Sequence, residues 1–316
     1  MPTDAGPIDP GPIARIRKIT VFGGNGFLGR RIVERLLERG LQVRIASRSA
    51  AAGKTTSAAA GKLSAIRADV RDAASVAAAV AGAEGVVNAV GLYVERGAAT
   101  FQAIHVEGAA KVATACGREG VARLVHLSGL GADAQARSAY VRCRGEGEAA
   151  VRAAFPRVSV FRPSVMFAAD DAFLTTLLSL VRRLPAIPLF GSGDKRLQPV
   201  FAGDVAEAAA QVLTLGEAGE NAPAPLYALG GPQIYSYRQI LELVMDHAGR
   251  RPRLIPVPFA VWDALAFAAG ALPAPPLTEG QVALMKQDNI APPDLPGLES
   301  LGIRPTAISG VLTREL

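Results

Sequence analysis

Tyr140 and Arg144 stand four residues apart in Ser138-Ala139-Tyr140-Val141-Arg142-Cys143-Arg144. On a helix, that spacing brings both side chains to one face. A phenol beside a fixed cation can carry a proton next to a hydride acceptor, because the positive charge favours the tyrosinate. Ser128 closes an apolar run twelve residues earlier, where its hydroxyl can bond a substrate oxygen. Singly, a tyrosine and an arginine on a helix are more often surface decoration. A second set of residues gives them a context. Gly23, Gly26 and Gly29 are spaced Gly-x-x-Gly-x-x-Gly. They lie between the run Lys18-Ile19-Thr20-Val21-Phe22 and a helical pattern of Ile32, Val33, Leu36 and Leu37 that ends at Gly40.

Strand, glycine turn and helix in that order suit dinucleotide binding. Gly23 and Gly26 permit a tight turn and close approach of the backbone to a pyrophosphate, and Gly29 lets the helix pack closely on the strand. The first helical N–H groups then face the phosphates. A tight turn without a ligand is the plainer alternative. The second strand ends in Ala46-Ser47-Arg48-Ser49. Sheets that take NAD carry Asp or Glu there for the ribose 2′-hydroxyl, whereas an arginine suits a 2′-phosphate. The residues therefore favour NADP(H) over NAD(H), with Arg30 as a further charge. For Arg48 the ordinary alternative is a solvated surface arginine. Asp69, just past the third strand, either accepts from an adenine amino group or caps the following helix.

These residues need a scaffold, and the first half of the chain alternates strand and helix patterns. Strands are expected at 41–46, 63–68, 85–90, 123–127 and 158–161, the last stopped by Pro163. Helices are expected at 73–81, 101–118 and 138–155. Continuous apolar strands alternating with helices imply an α/β fold, a doubly wound parallel Rossmann sheet covered on both faces. Residues 1–16 read as a flexible tail, 17–166 as the nucleotide-binding domain, and 167–316 as a smaller C-terminal lobe with elements returning to the sheet. In that lobe helices are expected at 173–184 and 205–215 and strands at 226–229 and 253–257, and Phe167, Phe173 and Phe190 are expected to line a cleft. Residues 50–61 read as a mobile loop.

The chain has 316 residues, half of them hydrophobic, and a formal charge of +6 without a basic run. That argues for general anion attraction, for an acidic partner or a membrane surface, and against a nucleic-acid module. Cys116 and Cys143 read as buried thiols. His105, His126 and His247 are too scattered for a metal site. No stretch reaches the ~18 apolar residues of a bilayer span. The nearest, Val257 to Leu272, is interrupted by Asp263 and reads either as a buried helix or as a helix lying on a membrane surface.

The glycine turn, Asp69, Asn88-Ala89-Val90-Gly91, Ser128 and Tyr140-x-x-x-Arg144 together resemble the extended short-chain dehydrogenase/reductases. So do Phe161-Arg162-Pro163-Ser164 and Gln198-Pro199-Val200-Phe201-Ala202-Gly203-Asp204-Val205-Ala206. Within that superfamily the chain is most similar to the atypical branch of the nucleotide-binding accessory subunit of respiratory complex I and its α-proteobacterial relatives. His105-Val106-Glu107-Gly108, Leu127-Ser128-Gly129-Leu130-Gly131-Ala132-Asp133 and Tyr227-Ala228-Leu229-Gly230-Gly231-Pro232 carry that likeness, with Pro275 to Val282 and Asp288-Asn289.

The resemblance implies a bound NADP(H) held by Gly23, Gly26, Phe27, Leu28, Gly29, Arg30, Ser47, Arg48, Asp69, Val70, Ala89, Val90, Gly91, Tyr140, Arg144 and Pro163. It puts Ser128, Tyr140 and Arg144 in the catalytic positions. Active members carry lysine where this chain has Arg144. Arginine keeps the charge but does not deprotonate near neutral pH, which breaks a proton relay without harming cofactor binding. The resemblance thus implies an accessory protein of complex I with a structural nucleotide, peripheral on the cytoplasmic side of a bacterial inner membrane. The alternatives are an active NADP-dependent reductase or epimerase, on a quinone-related or small carbonyl substrate, and a soluble NADPH-sensing regulator.

Overall fold

The computed structural model describes residues 16–49, 61–214, 226–270, 272 and 277–315. All but the last residue of the expected tail at 1–16, and all but the last of the expected loop at 50–61, lie outside them.

Seven parallel strands form the main sheet: β1 (Lys18–Phe22), β2 (Gln42–Ser47), β3 (Leu63–Arg67), β4 (Gly85–Asn88), β5 (Arg123–Leu127), β6 (Ser159–Pro163) and β11 (Leu226–Leu229). Their order is β11-β6-β5-β4-β1-β2-β3. The strand order reverses at β1, which pairs with β2 on one side and β4 on the other. A crevice opens at such a reversal, beyond the strands' carboxyl ends. Each face of the sheet carries its own apolar cluster. One holds Ile19, Val21 and Val87 beneath α1 (Phe27–Glu38) and α6 (Ala202–Thr214). The other holds Phe22, Val86 and Leu124 beneath α2 (Ala73–Val80), α3 (Ala109–Arg118) and α4 (Ala139–Ala154). Burial on both faces is why these strands read as unbroken apolar runs. β6 runs on through Pro163, which pairs with Leu229; a proline without a donor is tolerated at a strand end.

A third cluster builds the C-terminal part. It gathers Phe167 from β7 (Met166–Phe167), Leu174 and Leu178 from α5 (Ala172–Arg183), Ile187 and Leu189 from β8 (Ala186–Phe190), and Leu197 from β9 (Arg196–Leu197). Ile240 and Val244 of α7 (Tyr237–Ala248) complete it. Three two-stranded sheets frame this cluster. β10 (Val200–Phe201) pairs with β7, β12 (Tyr235–Ser236) with β9, and β13 (Arg253–Val257) with β8. The expectation that Phe167, Phe173 and Phe190 line a cleft is corrected here. Phe167 is wholly buried, and Phe173 and Phe190 pack on the same core, because α5 and α7 enclose them.

Two elements depart from the sequence pattern. The helix expected from residue 101 begins as a π-helix, Gln102–Gly108, before α3. Gly147 of α4 packs against that turn so tightly that a Cβ there would lie 2.0 Å from the His105 carbonyl oxygen. The apolar stretch 257–272 contains α8 (Phe259–Ala269), and the expectation of a buried helix fails. One stripe docks: Trp262 donates from Nε1 to the Leu189 carbonyl at 2.9 Å and lies against Phe190. Ala266 is buried. The opposite stripe of Val261, Ala264, Leu265 and Ala268 is exposed, with Leu265 at 52%. Apolar residues surround the helix, so docking one face leaves another uncovered. An ion pair from Asp263 to Lys286 at 2.8 Å ties α8 to the end of α9 (Glu279–Met285). The last helix is α10 (Ile308–Glu315). No described helix is long and apolar enough to cross a membrane.

Candidate functional site

The glycine turn is built as its spacing implies. Gly23 has φ +75°, and its N–H donates to Ala46 O at 3.0 Å, tying the turn to β2. A Cβ on Gly29 would stand 2.0 Å from Gly23 O, and one on Gly23 would stand 2.8 Å from Ala89 O. Both positions therefore require glycine. The N-cap Gly26 supplies no side-chain cap to α1, and the first turn carries no acid. The N–H groups of Phe27, Leu28 and Gly29 thus begin a helix with neither a side-chain cap nor a first-turn acid of its own, an arrangement that takes a phosphate. These residues fit a dinucleotide pyrophosphate. Arg30 instead pairs with Asp170, alongside Arg31, so its guanidinium is held at the mouth of the C-terminal part.

Beside the turn, β2 and β3 deliver the next residues in register, with Ser47 opposite Arg67. Asn25 Nδ2 donates to Ser47 Oγ at 3.0 Å, joining the glycine loop to the end of β2. Arg48 is exposed there. Asp69 is not the cap of α2; Asp72 is, accepting from the N–H groups of Ala74 and Ser75. Asp69 is gripped by Arg71, whose Nε lies 3.0 Å and 3.1 Å from its two oxygens and whose Nη2 lies 2.5 Å from Oδ2. The Arg71 hydrogen bonds outweigh desolvation and hold this carboxyl at about 2. Val70 is buried against Gly108. Ala89, Val90 and Gly91 follow β4 across the crevice, and Val90 donates its N–H to Asn88 Oδ1 at 3.3 Å.

At the other end, α4 carries Tyr140 and Arg144 on one face, as expected. The Arg144 guanidinium lies over the Tyr140 ring, 5.3 Å from its centroid. It also lies beside Gly129, where a Cβ would meet Nη1 at 2.9 Å. Arg144 acts on the phenol in the expected direction, lowering its pKa, but it does not prevail. Burial dominates and pushes the phenol up to about 12, against the lowering by Arg144 and with Tyr93 adding to the rise. Tyr140 sits in an aromatic box of Tyr93, Phe101 and His105, with ring centroids 5.4–5.8 Å away. Gly280 of α9 closes over it, and even a Cβ there would stand only 3.4 Å from Tyr140 Cβ. His105 and His126 are buried nearby and held uncharged. Burial, and then Arg144, bring them down to about 4 and about 3.

Ser128 does not face an open substrate site. Its hydroxyl donates to Glu148 Oε1 at 2.5 Å. Glu148 is itself buried and forked by Arg162, with contacts of 2.7–3.2 Å. The structure therefore brings Tyr140 and Arg144 together and commits the Ser128 hydroxyl elsewhere. Pro163, beneath them, accepts the Leu130 N–H at 3.0 Å. Glu148 and Arg71 were missing from the sequence reading, where Arg162 stood only as part of the Phe161-Arg162-Pro163-Ser164 motif. Glu148 lies one helical turn beyond Arg144, on the same face, and that spacing was the available signal. Replacing Glu148 with Gln leaves Arg162 facing a neutral amide. It should lower stability by about 2–4 kcal/mol, since one member of a largely buried pair loses its counter-charge. Chemical denaturation reads this directly.

Among the described residues no group of three or more His, Cys, Asp or Glu could hold a metal. A family model described as the NAD dependent epimerase/dehydratase family matches residues 19–224, from β1 past α6. The chain belongs to this family. It is 32% identical over 251 residues to the mitochondrial NADH dehydrogenase (ubiquinone) 1 alpha subcomplex subunit 9 of Arabidopsis thaliana, covering 78% of this chain and 62% of that protein. It is 31% identical over 294 residues to the protein of that name from Mus musculus, covering 92% and 77%. The chain thus spans less than two thirds of the plant relative's length. In fold it is similar to the Citrobacter sp. triphenylmethane reductase complexed with NADP(H), with a TM-score of 0.74 at 20% identity, covering 95% of this chain and all of that one.

Proposed function

We propose that this chain is an accessory subunit of respiratory complex I that holds NADP(H) as part of its fold. Its place is peripheral, on the cytoplasmic side of a bacterial inner membrane, among complex I subunits. The observation that carries the reading is the state of the catalytic positions. Tyr140 is buried beside α9 and kept protonated, the Ser128 hydroxyl is given to Glu148, and Arg144 stands where a titratable lysine would be needed. The similarity to plant and mouse proteins named as subunits of NADH dehydrogenase supports the partner.

Each end of the site has a binding task. The α1 N-terminus and the glycine turn take the pyrophosphate, and Arg48 takes the 2′-phosphate. Arg144, whose buried Nε has no hydrogen-bond partner among the described residues, takes ribose oxygen. Such a nucleotide, when reactive, supplies or accepts a hydride. Here Tyr140 keeps its proton, and the aromatic box and α9 keep water from it. Binding then stabilises the fold by mass action, about 2.7 kcal/mol at a ligand concentration a hundred times Kd.

A second reading, an active NADP-dependent reductase or epimerase, keeps one point in its favour: Tyr140 is present in a chain of this family. Gentle extraction from native membranes separates the two. Co-migration with complex I, with bound nucleotide that quinones and sugars do not oxidise, is the expected result. Steady turnover by the free protein, abolished in Tyr140→Phe, would overturn it. Arg144→Lys should leave the protein inactive if burial of Tyr140 is the main block; activity gained in that variant would make the missing relay the sole defect.

A further inference from the structure

We infer that Arg71, braced by Asp69, reads the 2′-phosphate together with Arg48 and sets the selectivity of the site for a 2′-phosphorylated dinucleotide. This rests on the reading above that the crevice holds NADP(H).

The argument begins with register. β2 and β3 run parallel and side by side, and Ala68 donates its N–H to Ser47 O at 2.9 Å. The chain therefore leaves both strands at the same edge, with Arg48 following one and Asp69 to Arg71 following the other. Arg48 is close enough to Asp69 to help depress its carboxyl. Asp69 thus carries one guanidinium forked onto it and feels the charge of a second, two cations to one carboxylate at this edge of the sheet. The Asn25–Ser47 hydrogen bond anchors this edge to the glycine turn, so the pyrophosphate cradle and the arginine pair belong to one framework.

The second point is preorganisation. Arg71 is held by its own backbone N–H to Asp69 Oδ1 at 3.0 Å and by its side-chain fork. Its Nη1 makes no hydrogen bond among the described residues, and the side chain remains 33% exposed. An arginine already fixed in place loses little freedom when it grips an anion, and its donors match phosphate geometry. Asp69, with both oxygens engaged, is better suited to aiming Arg71 than to serving as a free acceptor for adenine. It is a positioning residue. The competing explanation is that the Asp69–Arg71 pair only braces the turn before α2.

Calorimetric titration of the full chain, stripped of nucleotide, with NADP⁺ and with NAD⁺ tests the inference. The wild-type protein is expected to prefer NADP⁺. Arg71→Gln should lower the ratio of the two affinities about tenfold or more, the effect of losing one charge-assisted contact. Arg71→Lys, which keeps the charge without the fork, should recover part of it. A melting curve without nucleotide verifies that each variant is folded. If Arg71→Gln keeps the wild-type ratio, or weakens both nucleotides equally, Arg71 is only a brace and the inference fails while the NADP(H) reading stands. If the wild-type protein shows no preference, the NADP(H) reading itself fails.

Discussion

Replacing Gly29 with alanine should destabilise the protein by about 3 kcal/mol or more and remove its thermal response to nucleotide. The added methyl would stand 2.0 Å from the Gly23 carbonyl oxygen. Neither partner is a flexible side-chain tip; one is the turn and the other the first helical turn of α1. Overpacking in a tight site costs typically 1–3 kcal/mol. Here relief requires α1 to move off β1 and carry the Phe27 and Leu28 N–H groups with it. The expected signature is double: a lower melting temperature without ligand, and no further rise when NADP⁺ is added. Gly26→Ala is the control for ligand-free stability alone, because Gly26 itself lies where the backbone approaches the pyrophosphate. Its Cβ would stand 3.1 Å from Gly23 O, a contact that small adjustments can absorb. An equal loss of ligand-free stability in the two variants would refute the packing argument.

Mild acid should be comparably damaging. His105 and His126 ordinarily titrate near 6.5, but in the fold they remain neutral down to about 4 and about 3. The unfolded chain therefore takes up protons first as the pH falls below 6.5. Stability is full above that value and is lost progressively towards the folded-state values. At pH 5 each histidine has cost about 2 kcal/mol, and the pair about 4 kcal/mol, at about 1.4 kcal/mol per pH unit. That is a large part of the ~5–15 kcal/mol that holds a typical domain. Asp171 and Asp204, whose carboxyls burial pushes upward, act in the opposite sense but nearer the carboxylate range. Denaturant titrations at pH 7, 6 and 5 should show the decline, and His105→Gln with His126→Gln should flatten it. An unchanged slope in the double variant would exclude the histidines as its source.

The sheet and the glycine turn were legible because their causes are local. β1, β4 and β5 declare themselves as buried apolar runs, and Gly23 and Gly29 occupy positions that only glycine fits. The family likeness added the site residues, most of which follow the carboxyl ends of β1 to β4 or stand on α1 and α4. What stayed hidden depends on partners distant in sequence. Tyr140 and Arg144 share a face as their spacing requires, but nothing in Tyr140-x-x-x-Arg144 says that Gly280 will pack against the base of the Tyr140 side chain. The Ser128 hydroxyl looked available until Glu148 met it from α4, itself held by Arg162 of β6. The π-turn before α3 also escaped, because its wider winding breaks the 3.6-residue rhythm by which helices are recognised. Phe167, Phe173 and Phe190 were assigned to a cleft for their apolar character alone, which fits a core equally well.

The outward stripe of α8 has a practical consequence for anyone handling this protein alone. Val261, Ala264, Leu265 and Ala268 lie within about 100° of one another around the helix, and Phe267, 77% exposed, adds to them. Purified without a companion, the chain should adhere to its own kind as concentration rises. That adhesion should ease on cooling, since the attraction between apolar surfaces weakens in the cold, and mild detergent should disperse it.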